Sequence, residues 1–194
     1  MTDEGARKAH GLPPRQKLPH PSDSTALMDN VLAKDADWID FETTVSTSSD
    51  QIAIAPGYLL KEWELGNRKF FHYKMDIKML HFYAYNSAKY EVKKDKWNDV
   101  DLQIFYHKGH EYNLNRMMDG MKAALAYCSE NFSPYQHKQA RIIEFPRTKG
   151  SFAQAFPNTI PFSESHGFVA DVDDSDEGGI DYPFAVTAHE IAHQ

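Results

Sequence analysis

Three scarcities limit what this chain of 194 residues can be. Cys128 is its only cysteine, so no disulfide can form within the chain, and the redox compartment stays open. No apolar run approaches the roughly 18 residues that a membrane-spanning helix needs, and the polar N-terminus lacks the apolar segment of a secretory signal peptide. Positive charge is outnumbered, with 21 Lys and Arg against 28 Asp and Glu, and the net charge of −7 argues against nucleic acid as a partner.

The first half of the chain has the hydrophobic pattern of β-strands. Hydrophobic content of 41% is typical of a globular protein. Prolines 13, 14, 19 and 21 predict a loop or extended arm over residues 1–30. Strands are predicted over residues 39–45, 51–55, 68–75, 79–92 and 100–106, with a hairpin turn at 66–67 and a charged turn at 93–96. This pattern predicts an antiparallel sheet or sandwich, with its aromatic side chains in the core rather than on a ligand platform.

After residue 109 the hydrophobic period changes to that of a helix. Apolar residues recur at helical spacing from Leu114 to Cys128, with Asn113 or Asn115 as the cap. Further strands are predicted over residues 141–145, 159–163 and 167–172. The sequence therefore predicts an α+β fold with a domain boundary near residue 109, separating 1–109 from 110–194.

The last residues contain a motif that indicates metal chemistry. His189, Glu190 and His193 form an H-E-x-x-H pattern. On a helix, residues four apart lie on one face, so the two imidazoles can bind one metal ion while Glu190 acts as the base for a water molecule. Asp181 as cap and Pro183 in the first turn predict where this helix begins.

Other interpretations of the metal-binding residues stay open at this point. The motif helix could be a surface helix with two solvated histidines. His137 and His166 are candidates for a third ligand, although neither has a helpful spacing. The acidic segment 171–179 suggests calcium, but Asp176 occupies the position where an EF-hand loop requires glycine, which favours a solvated loop.

The zinc-helix sequence 188–194, A-H-E-I-A-H-Q, resembles that of the aminopeptidase N family, the gluzincin aminopeptidases. Segments upstream follow the same order as in that family: 115–117, 142–146 and 160–164, and residues 36–63 resemble the later part of its saddle-shaped β domain. The whole chain is similar to the peptidase region at the C-terminal end of certain bacterial ABC-transporter permeases. The resemblance implies a β saddle followed by the start of a thermolysin-like catalytic domain.

The resemblance also implies roles for particular residues. His189 and His193 would bind Zn²⁺, and Glu190 would be the general base. The family's third zinc ligand, a glutamate, and its catalytic tyrosine lie beyond the second histidine, so we expect this chain to be a fragment of a longer protein that binds zinc weakly and is inactive alone. The family's G-A-M-E-N segment, whose glutamate binds the substrate amino group, corresponds to residues 152–156, where Ala155 replaces that glutamate and Gln154 or Glu164 is the candidate substitute.

Two functions follow as expectations. The first is a zinc metallopeptidase that hydrolyses peptides through a zinc-activated water molecule. The second, suggested by Ala155, is a non-catalytic module that binds or senses peptides beside a transporter. In both cases the resemblance implies a membrane permease segment in the same parent chain, with the present region soluble and outside the bilayer.

Overall fold

The computed structural model describes residues 3–15, 19–28, 36–176 and 178–194. The helices are α1 (Glu4–Ala9), α2 (Leu114–Asn131) and α3 (Tyr182–Ala192), with single 3₁₀ turns at Ala26–Met28 and Arg147–Lys149. The strands are β1 (Trp38–Ile39), β2 (Glu42–Ser48), β3 (Ile52–Ile54), β4 (Tyr58–Leu65), β5 (Arg68–Lys74), β6 (Met79–Leu80), β7 (Asn86–Ala88), β8 (Tyr90–Trp97), β9 (Val100–His107), β10 (Gln139–Phe145) and β11 (Thr159–Ser163). The α+β fold class predicted from the sequence is confirmed.

The segment up to Asp37 is a compact unit of its own. Asp3 caps α1 by accepting a hydrogen bond from the backbone N–H of Ala6 at 2.6 Å, and the Arg7 guanidinium donates to the carbonyl of Pro13. The prediction of a loop over residues 1–30 is therefore wrong at α1, because a capped, proline-free stretch precedes the prolines. Residues 1–2, 16–18 and 29–30 of that prediction lie outside the described part of the chain.

The second unit, from Trp38 onward, contains the sheets. One is the antiparallel sheet β2-β5-β4, in which β4 and β5 form the hairpin predicted at Gly66-Asn67. Two short antiparallel pairs, β1-β6 and β3-β7, accompany it. The largest sheet has the order β11-β10-β9-β8, with β9, β10 and β11 parallel and β8 antiparallel to β9.

The four-stranded sheet is buried on both faces near its centre. On one face, side chains from β9, β10 and β11 form a core with α2, α3 and Phe168. On the other face, Phe105 of β9 and Ile143 of β10 pack against Ile54 of β3. Strand β10 is almost wholly buried, as a parallel strand covered on both faces should be. Two strands of this sheet precede residue 109 in the chain, and two follow it. The domain boundary predicted near residue 109 stays a prediction.

Three local predictions are wrong: the turn over 93–96, the single strand over 79–92 and the strand over 167–172. Residues 93–96 belong to β8 rather than to a turn. Strand β8 lies at the edge of the sheet, where lysine side chains can extend into solvent. The Asp95 carboxylate also accepts a hydrogen bond from Lys122 of α2 at 2.6 Å. The reversal comes at Asn98, which has a positive φ of 49°.

Residues 79–92 contain β6, β7 and the start of β8, not one long strand. No strand forms over 167–172, because the side-chain amide of Asn113 bonds the carbonyls of Gly167 and Ala170, each at 2.8 Å. The same contacts explain why Asn113, at the N-cap position of α2, makes no side-chain capping bond. Among the described residues, no helix combines the length and apolarity needed to cross a membrane.

Candidate metal centre

The motif helix α3 begins where the sequence predicts. The Asp181 carboxylate accepts a hydrogen bond from the backbone N–H of Phe184 at 2.9 Å, and Pro183 lies in the first turn. The other oxygen of Asp181 accepts a bond from the Arg116 guanidinium at 2.8 Å. Arg116 also pairs with Asp174, so one side chain of α2 holds both the start of α3 and the acidic loop before it.

Helix α3 packs closely against α2. Thr187 and Ile191 are buried, and Gly120 of α2 faces the backbone of α3. A β-carbon at residue 120 would lie 2.8 Å from the carbonyl oxygen of Phe184, closer than atoms of that size can approach. The absence of a side chain at Gly120 therefore sets how near the motif helix lies to its neighbour.

The two motif histidines lie side by side on the exposed face of α3. The Nε2 atoms of His189 and His193 are 3.0 Å apart, and the ring planes are nearly perpendicular. Two nitrogens bound to one Zn²⁺ at about 2.0–2.1 Å in tetrahedral geometry would be roughly 3.4 Å apart. The pair therefore fits a shared cation with small adjustment. It also fits a hydrogen bond between the rings, with one Nε2–H donating to the other nitrogen.

Glu190 points away from solvent, unlike its histidine neighbours. The residue is 6% exposed, and its Oε2 has no hydrogen-bond partner in the described part of the chain. Burial raises the pKa of Glu190, while the charges of His193 and His189 and a backbone hydrogen bond from Ala155 oppose that rise. A carboxyl group with a raised pKa and an unpartnered oxygen is a better proton acceptor than an ordinary carboxylate.

The segment 152–156, predicted to contact substrate, lies beside the end of α3. Gln194 accepts a hydrogen bond from the backbone N–H of Asn158 and donates one to the carbonyl of Phe156, both at 2.8 Å. Ala155 contributes the backbone bond to Glu190 described above, and the backbone N–H of Gln154 bonds Pro161. The structure thus brings Glu190 and Ala155 together. Gln194 was not predicted, and its position directly after the motif was the available signal.

Glu164, the other predicted substrate contact, has partners of its own. It follows β11 and accepts a hydrogen bond from the backbone N–H of Arg147 at 3.1 Å. Its second carboxylate oxygen lies 4.0 Å from Nδ1 of His110. Neither contact involves the motif histidines.

The candidate third ligands do not join the histidine pair. His166 donates to the carbonyl of Ser151 at 2.9 Å, and His137 is buried with Nδ1 unpartnered among the described residues. In the acidic loop, Asp173 accepts hydrogen bonds from Ser175, and Glu177 lies outside the described residues. Within the described ranges, one group of three His, Cys, Asp or Glu has its ligand atoms within 4.8 Å of one another: His110, Glu144 and Glu164.

Comparison with protein-family models and with curated proteins finds no match. Among solved structures, the chain is similar to a two-domain M1 zinc metallopeptidase variant bound to L-arginine. The TM-score is 0.58 at 12% sequence identity, and the similarity covers 82% of this chain but 34% of the metallopeptidase. At this identity the comparison establishes shape alone. The chain is therefore similar in fold to part of an M1 zinc metallopeptidase.

Proposed function

We propose that this chain is part of a zinc-dependent metallopeptidase of the aminopeptidase type. The observation that carries the proposal is the 3.0 Å separation of the His189 and His193 Nε2 atoms beside the buried carboxyl of Glu190. The similarity in fold to an M1 zinc metallopeptidase supports it. His189 and His193 are proposed as zinc ligands, and a third ligand is proposed to come from outside this chain.

The chain's own residues supply the proton chemistry in this proposal. When bound, Zn²⁺ polarises the scissile carbonyl and lowers the pKa of a water molecule. Glu190 accepts the proton of that water and passes it to the leaving amine, with no covalent intermediate. Its unpartnered Oε2 leaves a lone pair for this task.

The test is Glu190→Gln in the full-length parent protein. Zinc content should be unchanged because both histidines remain, while kcat should fall by about 10²–10⁴ because the amide cannot accept the proton. Glu64→Gln is the control, since Glu64 is an exposed carboxylate on β4. If Glu190→Gln retained the activity of the control, Glu190 would not be the base.

A second candidate function rests on Ala155. Its backbone lies next to Glu190, and its side chain offers no charge to a substrate ammonium group. This favours either cleavage of peptides without a free amino terminus or a non-catalytic peptide-binding or sensing module beside an ABC-type transporter. Assays of the parent on amino-acid anilides and on N-blocked peptides separate the possibilities. Cleavage of blocked peptides alone indicates an endopeptidase, and inactivity on both with zinc bound indicates a binding module.

Proposals about the parent protein rest on the sequence resemblance. They are a permease segment in the same chain, placement of this region outside the bilayer, and two domains that meet near residue 109.

A further inference from the structure

A second group of metal-ligating side chains lies at the carboxyl edge of the parallel strands. His110 follows β9, Glu144 is the penultimate residue of β10, and Glu164 comes directly after β11. In α/β sheets, ligands bind outside the carboxyl ends of parallel strands, where successive loops converge. Three neighbouring strands thus each deliver one donor to the same place, although 54 residues separate the first donor from the last in sequence.

Each carboxylate in this group is held by a backbone N–H on one oxygen. Glu144 Oε2 accepts from the N–H of His107 at 2.6 Å, and Glu164 Oε1 accepts from the N–H of Arg147 at 3.1 Å. The remaining oxygens both face His110 Nδ1: Glu144 Oε1 in a direct hydrogen bond, and Glu164 Oε2 at 4.0 Å. Orientation of ligands by outer hydrogen bonds is the usual arrangement around bound metal ions.

Two carboxylates face one imidazole in this group. Glu144 is 0% exposed, and His110 is its ion-pair partner among the described residues. Glu164 adds a second negative charge, with the exposed Arg147 guanidinium 3.9 Å away. Burying a carboxylate without full compensation is costly, and two carboxylates around one imidazole attract a further positive charge.

We propose that His110, Glu144 and Glu164 form a divalent-cation site separate from the His189–His193 pair. Their ligand atoms lie within 4.8 Å of one another. Around an ion with bonds of about 2.0–2.2 Å, ligand atoms are roughly 3.4 Å apart, so shifts of under ~1 Å would complete the geometry. One imidazole and two carboxylates suit Zn²⁺ or Mn²⁺. The ion binds the edge of the sheet and fixes the loops that follow β9, β10 and β11.

Zinc titration of the 194-residue chain carrying His189→Ala and His193→Ala tests the proposal, because that background removes the motif pair. Isothermal titration calorimetry should find one Zn²⁺ bound. Adding Glu164→Gln or His110→Asn should weaken that binding at least tenfold, and both side chains are partly exposed, so the fold should persist. Glu111→Gln is the matched control, because this exposed carboxylate is adjacent to His110 and bonds the N–H of Gly109 instead.

Circular dichroism and the metal-free Tm confirm that each variant is folded. Absence of zinc binding in the protein that lacks both motif histidines overturns the proposal, and the three side chains then form a hydrogen-bonded group without a metal ion. Equal affinity of Glu164→Gln and Glu111→Gln also overturns it. Neither result affects the proposed peptidase, since the motif pair is absent from every protein in this experiment.

Discussion

At the residue scale, burial distinguishes Glu190 from the two histidines of its motif. The imidazoles are exposed, whereas the carboxyl group is enclosed and lacks a partner for one oxygen. Helical spacing predicts that the histidines share a face, but it does not predict which way the residue between them points. That direction depends on tertiary packing, which brings the backbone of Ala155 next to Glu190.

His137 allows a prediction about pH. Burial lowers the pKa of this imidazole, although Asp76 opposes the shift. The folded state therefore binds fewer protons than the unfolded state, and the stability that His137 contributes above pH ~6.5 is lost as the pH falls toward its folded pKa. Urea unfolding of His137→Phe should show a smaller loss of unfolding free energy between pH 7.5 and 5 than the wild type. Equal pH dependence in the wild type and in His137→Phe would contradict the prediction.

At the scale of elements, the sequence predicts those whose residues satisfy local rules. Strand β11 has its predicted bounds, and α3 begins at its predicted cap, because β-branched residues and an Asp–Pro start act locally. The part of β8 over residues 93–96 could not be predicted, because the partners of Lys93 and Asp95 lie on α2. The group of His110, Glu144 and Glu164 could not be predicted either, since strand order alone brings these residues together.

Gly120→Ala tests the contact between α2 and α3. Alanine normally stabilises a helix relative to glycine by about 0.5–1 kcal/mol. Here its β-carbon would meet the Phe184 carbonyl at 2.8 Å, so we expect a net destabilisation of about 1–3 kcal/mol as α3 is displaced. Asp119→Ala, at an exposed position of the same helix, should be neutral or stabilising by thermal unfolding. A more stable Gly120→Ala protein would show that the two helices separate without cost.

At the scale of the whole molecule, Arg141 connects distant parts of the second unit. Its guanidinium donates to the carbonyls of Ala55 and Gly57 before β4, and to the side chain of Thr159 at the start of β11. The residue is 2% exposed, and burial lowers its pKa to about 10. The smaller β sheets and the four-stranded sheet therefore share one buried cation.

Arg141→Lys should destabilise the protein by about 2–4 kcal/mol, because an ammonium group cannot reach all of these acceptors and leaves some unsatisfied. Denaturant unfolding measures the change. Arg68→Lys is the control, because Arg68 also bonds a backbone carbonyl, that of Ser46, but is exposed. This variant should lose about 0.5 kcal/mol or less of unfolding free energy. Similar losses in both variants would mean that the buried contacts of Arg141 contribute little.

The two hydrogen bonds of Gln194 have a consequence for the proposed peptidase. Gln194 bonds the backbone of Phe156 and Asn158. Helix α3, which carries Glu190, therefore cannot move independently of the segment 152–156. In the proposed peptidase, substitutions that reshape residues 152–156 would therefore also shift Glu190, the proposed base. We expect peptide preference and turnover to change together there, because Gln194 links the two parts.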